Sequence, residues 1–289
     1  MRFWQAVSFL EAEQLLDVAR SAEAVGFDGA FVSDHVFFPG ELVSRYPYNP
    51  DGVPYFDKDT PWLETFASIG AMAAVTTRLR FVTGVYILPL RHPLEVAKAA
   101  ATVALLSGNR LALGVGTGWM REEFDALGRE FAGRGRRMDE QIAVMRTVWR
   151  GGMVEHAGRH YRLPRLQMSP APTAPIPILI GGASERALRR AATLGDGWVG
   201  AGNTPEEMPG ILKRLSELRR EAGRERAPFE VIVALTTPPD VDVFRRLEDQ
   251  GVTGVVSWPL LFTVGPGASI EQKRGALESY ANQIIQHFR

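Results

Sequence analysis

The sequence predicts a single (β/α)8 barrel, a TIM barrel of the α/β class, spanning residues 1–289. Three observations predict it. Short apolar runs alternate with amphipathic, capped segments eight times along the chain. The runs are mostly apolar throughout, as parallel strands buried on both faces require. No phosphate loop follows the first run, where an open doubly wound sheet usually carries one. A barrel of this kind needs roughly 250 residues, which leaves room for insertions.

Met1 to Ser8 reads as the first strand. Glu11 to Val25 places Leu15, Leu16, Ala19 and Ala22 at helical spacing, and Gly26 suits the position just past a helix end. Gly29 to Ser33 is the second strand, Trp62 to Thr76 a helix, and Leu79 to Gly84 the third strand. Pro93 opens the next helix in its first turn, and Ser107-Gly108 ends it. Leu111 to Val115 is the fourth strand, and Glu122 to Arg150 holds helical segments interrupted at Gly133 and Gly135. Pro177 to Ile180 is the fifth strand, followed by a helix from Ser184 to Leu194 and a terminal Gly195. Gly197 to Val199 is a very short sixth strand, and Thr204-Pro205-Glu206-Glu207 reads as a capping box. Phe229 to Leu235 is the seventh strand and Asp240 to Gln250 its helix. Gly254 to Ser257 is the eighth, closed by a helix from Ser269 to Phe288.

Two stretches break this rhythm, one after strand two and one before strand five. His35 to Pro61 is a long loop rich in Pro, Gly, Tyr and Asp. Gly151 to Pro175 holds a hairpin (Val154 to Leu163, turning at Ala157-Gly158) and then Pro164, Pro170, Pro172 and Pro175. Long connections in compact domains are usually functional or disordered. Both are expected at or near the C-terminal face of the barrel, where barrel active sites lie.

Charge is balanced, with 33 basic and 33 acidic residues, so nothing suggests an electrostatic grip on nucleic acid or an anionic membrane. The chain has no cysteine, which excludes disulfide scaffolding, thiolate catalysis and cysteine metal sites. The N-terminus lacks the apolar core of a signal peptide, and no apolar run approaches the roughly 20 residues that span a bilayer. A soluble, cytoplasmic protein acting on a small molecule is expected.

The residues that could carry chemistry cluster at strand ends. Gly114-Val115-Gly116-Thr117-Gly118-Trp119 follows strand four. Such glycines let a backbone approach a ligand closely, and their amides can face an anion; a tight strand-to-helix turn explains them equally well. Gly181-Gly182-Ala183-Ser184 follows strand five and opens a helix, whose N-terminus can hold a phosphate without any lysine; Ser184 as a simple N-cap is the alternative. Two such loops on neighbouring strands face one mouth, which favours a shared phosphate ligand. Ser33-Asp34-His35 ends strand two, a suitable place for acid–base chemistry. His92 reads as a helix cap. His156 and His160 lack a third ligand for a metal, and no metal is expected.

These residues, taken together, resemble the luciferase-like monooxygenase superfamily. The likeness is carried by Asp34-His35, Arg91-His92-Pro93 through Ala97-Lys98, Leu106-Ser107-Gly108, Gly114 to Trp119, Ile178 to Gly182 with its preceding Pro-rich run, Tyr161 after Gly158, and Ala192 through Trp198. The pattern is most similar to members that use the deazaflavin coenzyme F-420 rather than FMN. The resemblance implies cofactor contacts at Gly116, Thr117, Gly118, Gly181, Gly182 and Ala183. It also implies Asp34 and a catalytic His35 beside the redox-active ring, and a non-proline cis peptide at Gly84-Val85 behind it. A homodimer is expected. Ala104 and Asn109 depart from the pattern at positions that concern packing and a turn. Trp119 stands where sugar-phosphate dehydrogenases of the deazaflavin group carry a catalytic Glu, so that activity is not expected.

Three functions fit the motifs. The leading one is hydride transfer between the deazaflavin and a small organic substrate, which the aromatic loop at Tyr46, Tyr48, Tyr55 and Phe56 marks as partly apolar. With carbon replacing the central ring nitrogen, that cofactor passes hydride but activates oxygen poorly. The alternatives are an FMN-dependent monooxygenase using reduced flavin and oxygen, and a non-catalytic flavin or deazaflavin binder.

Overall fold

A computed structural model describes residues 1–289. In chain order the elements are β1 (Arg2–Ala6), α1 (Leu15–Val25), β2 (Gly29–Val32), α2 (Thr65–Val75), β3 (Arg80–Thr83), β4 (Tyr86–Ile87), α3 (Pro93–Leu106), β5 (Leu111–Gly116), α4 (Arg121–Ala126), α5 (Arg134–Val148), β6 (Val154–Ala157), β7 (Arg162–Leu166), β8 (Ile178–Gly181), α6 (Glu185–Leu194), β9 (Gly197–Asn203), α7 (Met208–Glu221), β10 (Glu230–Leu235), α8 (Val241–Asp249), β11 (Gly254–Ser257) and α9 (Ile270–Gln283). Eight parallel strands, β1, β2, β3, β5, β8, β9, β10 and β11, pair in that order, and β11 pairs back onto β1. The barrel is closed, as the sequence predicts.

Strand periodicity of two divides the apolar residues between two cores. Trp4, Ala6, Phe31, Val82, Ala112, Leu179, Val199, Ile232, Ala234 and Val256 fill the barrel interior. Their neighbours Phe3, Ala30, Phe81, Leu113, Ile178, Ile180, Val231 and Val255 face the helices in a separate, larger core. Every strand is therefore apolar on both faces. That is why the runs in the sequence show no alternation.

Trp4 closes the bottom of the barrel and is wholly buried. Its ring fits because its neighbours lack side chains: a Cβ on Gly29 would stand 2.3 Å from the ring, and one on Gly254 2.6 Å from Nε1. Such contacts are far inside van der Waals distance, so these glycines are dictated by packing.

Several element boundaries differ from the expectation. The sixth barrel strand, β9, has seven residues rather than three. The expected strand stops at Val199, yet it runs on through Gly200 and Gly202 because it pairs with β10 from Gly197 opposite Glu230 to Asn203 opposite Leu235. The capping box at Thr204 is half made. The Glu207 carboxylate accepts the Thr204 N–H at 2.9 Å, but residues 205–207 form a turn, and α7 starts at Met208 without a side-chain cap. Gly135 lies inside the first turn of α5 rather than interrupting it, whereas Gly133 is the N-cap. The segment before α1 is a 3-10 turn at Ala12–Gln14, and α2 begins three residues later than predicted, at Thr65. The hairpin forms as β6 and β7, but it turns at residues 158–161 rather than at Ala157-Gly158 and runs through Pro164 to Leu166. Glu140 of α5 docks it, its carboxylate accepting the N–H groups of His160 and Tyr161 and contacting His156. No helix is long and apolar enough to cross a membrane.

Candidate active site

A cavity of about 1410 Å³ opens at the C-terminal face of the barrel. That exceeds the usual range for a single small-molecule site, which runs to about 1,000 Å³. Two chemically different walls enclose it.

The first wall comes from β5, β8 and the helices that follow them. Gly116, Thr117, Gly118, Gly181 and Gly182 all line it; Ala183 does not. The glycines have separable reasons. Gly118 and Gly182 sit at φ of +77° and +104°, a region that side chains rarely adopt. Gly116 and Gly181 face the barrel interior, where a Cβ would lie 2.5 Å and 2.6 Å from the methyl groups of Val85. Those two positions are glycine because Val85 occupies the space, a packing reason that the motif reading did not contain. Trp198 fixes the second loop by donating from Nε1 to the Gly182 carbonyl at 2.8 Å.

Val85 belongs to a short excursion between β3 and β4. The Gly84-Val85 peptide is cis, as the resemblance implies. Its setting is tightly built: a Cβ on Gly84 would lie 1.7 Å from the Phe31 ring, and Ser33 donates its hydroxyl to the Gly84 carbonyl at 3.1 Å. Asp34 holds the far side. Its carboxylate accepts the Ile87 N–H at 2.8 Å and two bonds from Arg91, one of 2.8 Å. Arg91 in turn lies over the Tyr86 ring at 4.3 Å. Burial pushes the Asp34 carboxyl above its ordinary range, and the Arg91 guanidinium opposes that push. Asp34 lines the cavity, but its hydrogen-bonding capacity is engaged by the segment that carries Val85, so it positions that segment.

Cations complete the first wall, and the motif reading missed them. The N-terminus of α5 has no side-chain cap, and Gly133, Arg134, Gly135 and Arg136 all line the cavity. Arg134 is anchored by donating to the Gly118 carbonyl at 3.1 Å and stacks over Phe131 at 3.6 Å. Arg190 pairs with Asp139. Arg136 and Arg186 are exposed, line the same wall, and make no ion pair. The spacing of arginine in the first turns of α5 and α6 was visible in the sequence, but only folding shows that both turns face one cavity.

The second wall is aromatic. The long loop after β2 supplies Tyr46, Tyr48, Tyr55, Phe56 and Trp62, joined by Phe9, Trp119, Trp258 and Phe262. Burial pushes the Tyr46 and Tyr48 phenols well up, so both stay neutral. His35 lies among them, with ring centroids 4.8 Å from Trp62, 5.2 Å from Phe56 and 5.7 Å from Trp119. Its Nδ1 is 3.1 Å from Glu123 Oε2. The second insertion is different. No residue between 151 and 175 lines the cavity, so it packs on the outside of the barrel. His92 caps α3, accepting the Leu94 N–H at 3.3 Å.

A closed parallel barrel with a large cavity at the C-terminal ends of its strands is the arrangement of (β/α)8 barrel enzymes. The chain belongs to the luciferase-like monooxygenase family, whose model matches residues 5–242, and is thus an enzyme of the luciferase-like oxidoreductase and monooxygenase class. It is similar to an uncharacterized protein of Mycobacterium tuberculosis, 42% identical over 99% of both chains. It is also similar to an F420-dependent glucose-6-phosphate dehydrogenase of Nakamurella multipartita, 31% identical over 82% of this chain and 66% of that one. Among solved structures, the monooxygenase RslO1 from Streptomyces bottropensis superposes with a TM-score of 0.79 over 100% of both chains at 18% identity, a likeness of fold.

Proposed function

We propose that the protein transfers a hydride between the deazaflavin coenzyme F-420 and a small, partly apolar organic substrate. The observation that carries this reading is the division of one cavity into a cationic, amide-rich wall and an aromatic wall. An uncapped helix N-terminus attracts anions through its free N–H groups and the helix dipole, and Arg136 and Arg186 line the same cavity without an ion-pair partner. A phosphate-bearing cofactor fits that wall. The Nakamurella relative, F420-dependent by name, supports a deazaflavin in preference to FMN.

In this reading the backbones of Thr117, Gly118 and Gly182, with Arg134, Arg136 and Arg186, hold the cofactor's phosphate end. Val85 offers an apolar surface against which a ring system can rest. The deazaflavin supplies a carbon centre that takes or gives hydride and reacts poorly with oxygen. The aromatic wall excludes water from the substrate and holds it through apolar contact. Trp119 occupies the place of the sugar-phosphate dehydrogenases' catalytic Glu and leaves an apolar face there, so a phosphorylated sugar is a poor match. His35 is the one histidine on the aromatic wall, placed to exchange a proton with the substrate.

Separate fluorescence titrations of the purified protein with the deazaflavin and with FMN test the assignment. The deazaflavin is expected to bind at least tenfold more tightly, about 1.4 kcal/mol. Equal or inverted affinities, with oxygen uptake by the FMN-loaded protein, would replace this reading with that of a flavin monooxygenase.

A further inference from the structure

We propose that Glu123 is a positioning residue that fixes the tautomer of His35, keeping Nδ1 protonated and presenting Nε2 to the cavity as a hydrogen-bond and proton acceptor. The consequence for catalysis rests on the reading of the cavity given above; the tautomer itself does not.

Glu123 lies in the first turn of α4 and is wholly buried, at 0% exposure. A buried carboxylate is strongly disfavoured unless its oxygens are hydrogen-bonded. Both are engaged here, and both partners come from the segment that leaves β2. Oε1 accepts the backbone N–H of Val36 at 2.7 Å. Oε2 lies 3.1 Å from His35 Nδ1. A backbone amide can only donate, so Oε1 must accept. With Glu123 as the carboxylate this proposal requires, Oε2 has no hydrogen to give, so the hydrogen between Oε2 and the ring belongs to Nδ1.

In the neutral ring that arrangement leaves the lone pair on Nε2. Nε2 has no partner within the protein, and the ring lines the cavity. The rings of Phe56, Trp62 and Trp119 stand edge-on or tilted around the imidazole, which holds its plane while leaving that nitrogen for a bound molecule. The substrate class this geometry serves carries an O–H or N–H hydrogen that Nε2 can accept. Losing the carboxylate that plays this part in a hydrolase triad lowers turnover about 10⁴-fold because the imidazole takes the wrong tautomer.

Glu123→Gln makes the test sharp, because it keeps shape and removes symmetry. The amide oxygen must stay with the Val36 N–H, which cannot reverse. The amide NH2 then faces Nδ1 as a donor and drives the hydrogen to Nε2. Long-range ¹H–¹⁵N spectra of the ¹⁵N-labelled protein without cofactor, recorded where the ring is neutral, read the tautomer directly; His35→Asn assigns the His35 signals. The expected result is Nδ1–H in the wild type and Nε2–H in Glu123→Gln, an exchange of the two nitrogen environments. Nε2–H in the wild type would overturn the proposal, and that spectrum needs no variant to fold. Retention of Nδ1–H in a folded Glu123→Gln would remove Glu123 from the role. Because no cofactor is present, a failed deazaflavin titration leaves this outcome untouched.

Discussion

The two ends of the barrel use glycine for the same local reason and reach opposite results. At the bottom, Gly29 and Gly254 withdraw so that Trp4 can fill the interior. At the mouth, Gly116 and Gly181 withdraw so that Val85 can enter from the excursion after β3. In both places one bulky side chain lies between two residues that have none. Trp4 comes from a barrel strand and is wholly buried, so it completes the core. Val85 comes from a connecting segment and is only half-buried, lining the cavity, so it becomes a surface. The side chain that fills the gap, and the segment it belongs to, decide whether a glycine pair makes a plug or a seat.

The largest expected effect separates the two ends. Trp4→Ala should lower stability by about 3–5 kcal/mol, as truncation of a fully buried aromatic does, while cofactor affinity per folded molecule stays unchanged. Thermal melts and a titration of the same variant check it, and a matching fall in affinity would break the distinction. Next comes Gly181→Ala, which puts a methyl group 2.6 Å from Val85. Overpacking of this kind costs about 1–3 kcal/mol and is expected to appear mainly as weaker cofactor binding. Adding Val85→Ala should restore part of the affinity, and a double-mutant cycle measures the coupling. Purely additive losses would show that the two side chains do not compete. The smallest effect is expected of Arg186→Ala. This exposed residue should contribute about 1 kcal/mol to cofactor affinity at low salt, fading as ionic strength rises. A salt-independent loss, measured by titration at two ionic strengths, would argue against a screened charge contact.

The eight strand–helix repeats were legible because every strand is apolar on both faces and each carries a turn signal on its heels. The glycine loops were legible as loops, and strand topology brings them to one mouth. Their cause was not. The motif suggests close approach of a ligand, whereas at Gly116 and Gly181 the nearest obstacle is Val85, which is more than thirty positions away from Gly116 in the sequence. The same blindness hid Glu123. It sits in a run of acidic residues, Glu122-Glu123, that reads as an ordinary helix start, and only the return of residues 35–36 onto α4 buries it. Arg91 as the partner of Asp34 was hidden too, since 57 positions separate them. Strand length failed at β9 because the pairing with β10 that carries it on to Asn203 is not visible in the local sequence. Local signals thus survive folding, and pairings between distant segments do not announce themselves.

Glu122 and Glu123 stand side by side in α4 and grip the long loop at two separate points. Glu122 accepts the N–H groups of Val43 and Ser44 at 2.7 and 2.9 Å, and Glu123 holds Val36 and His35. The helix that bears them follows directly on the Gly116 to Trp119 loop. One short helix is therefore a shared mount for the glycine loop after β5 and the aromatic wall, and it cannot shift without disturbing both. Whatever free energy a ligand on one wall gains by steadying that mount is felt by a ligand on the other, and by thermodynamic linkage the favour is returned in equal measure. Measured as dissociation constants, each ligand should change the other's by one and the same factor, whichever is added first.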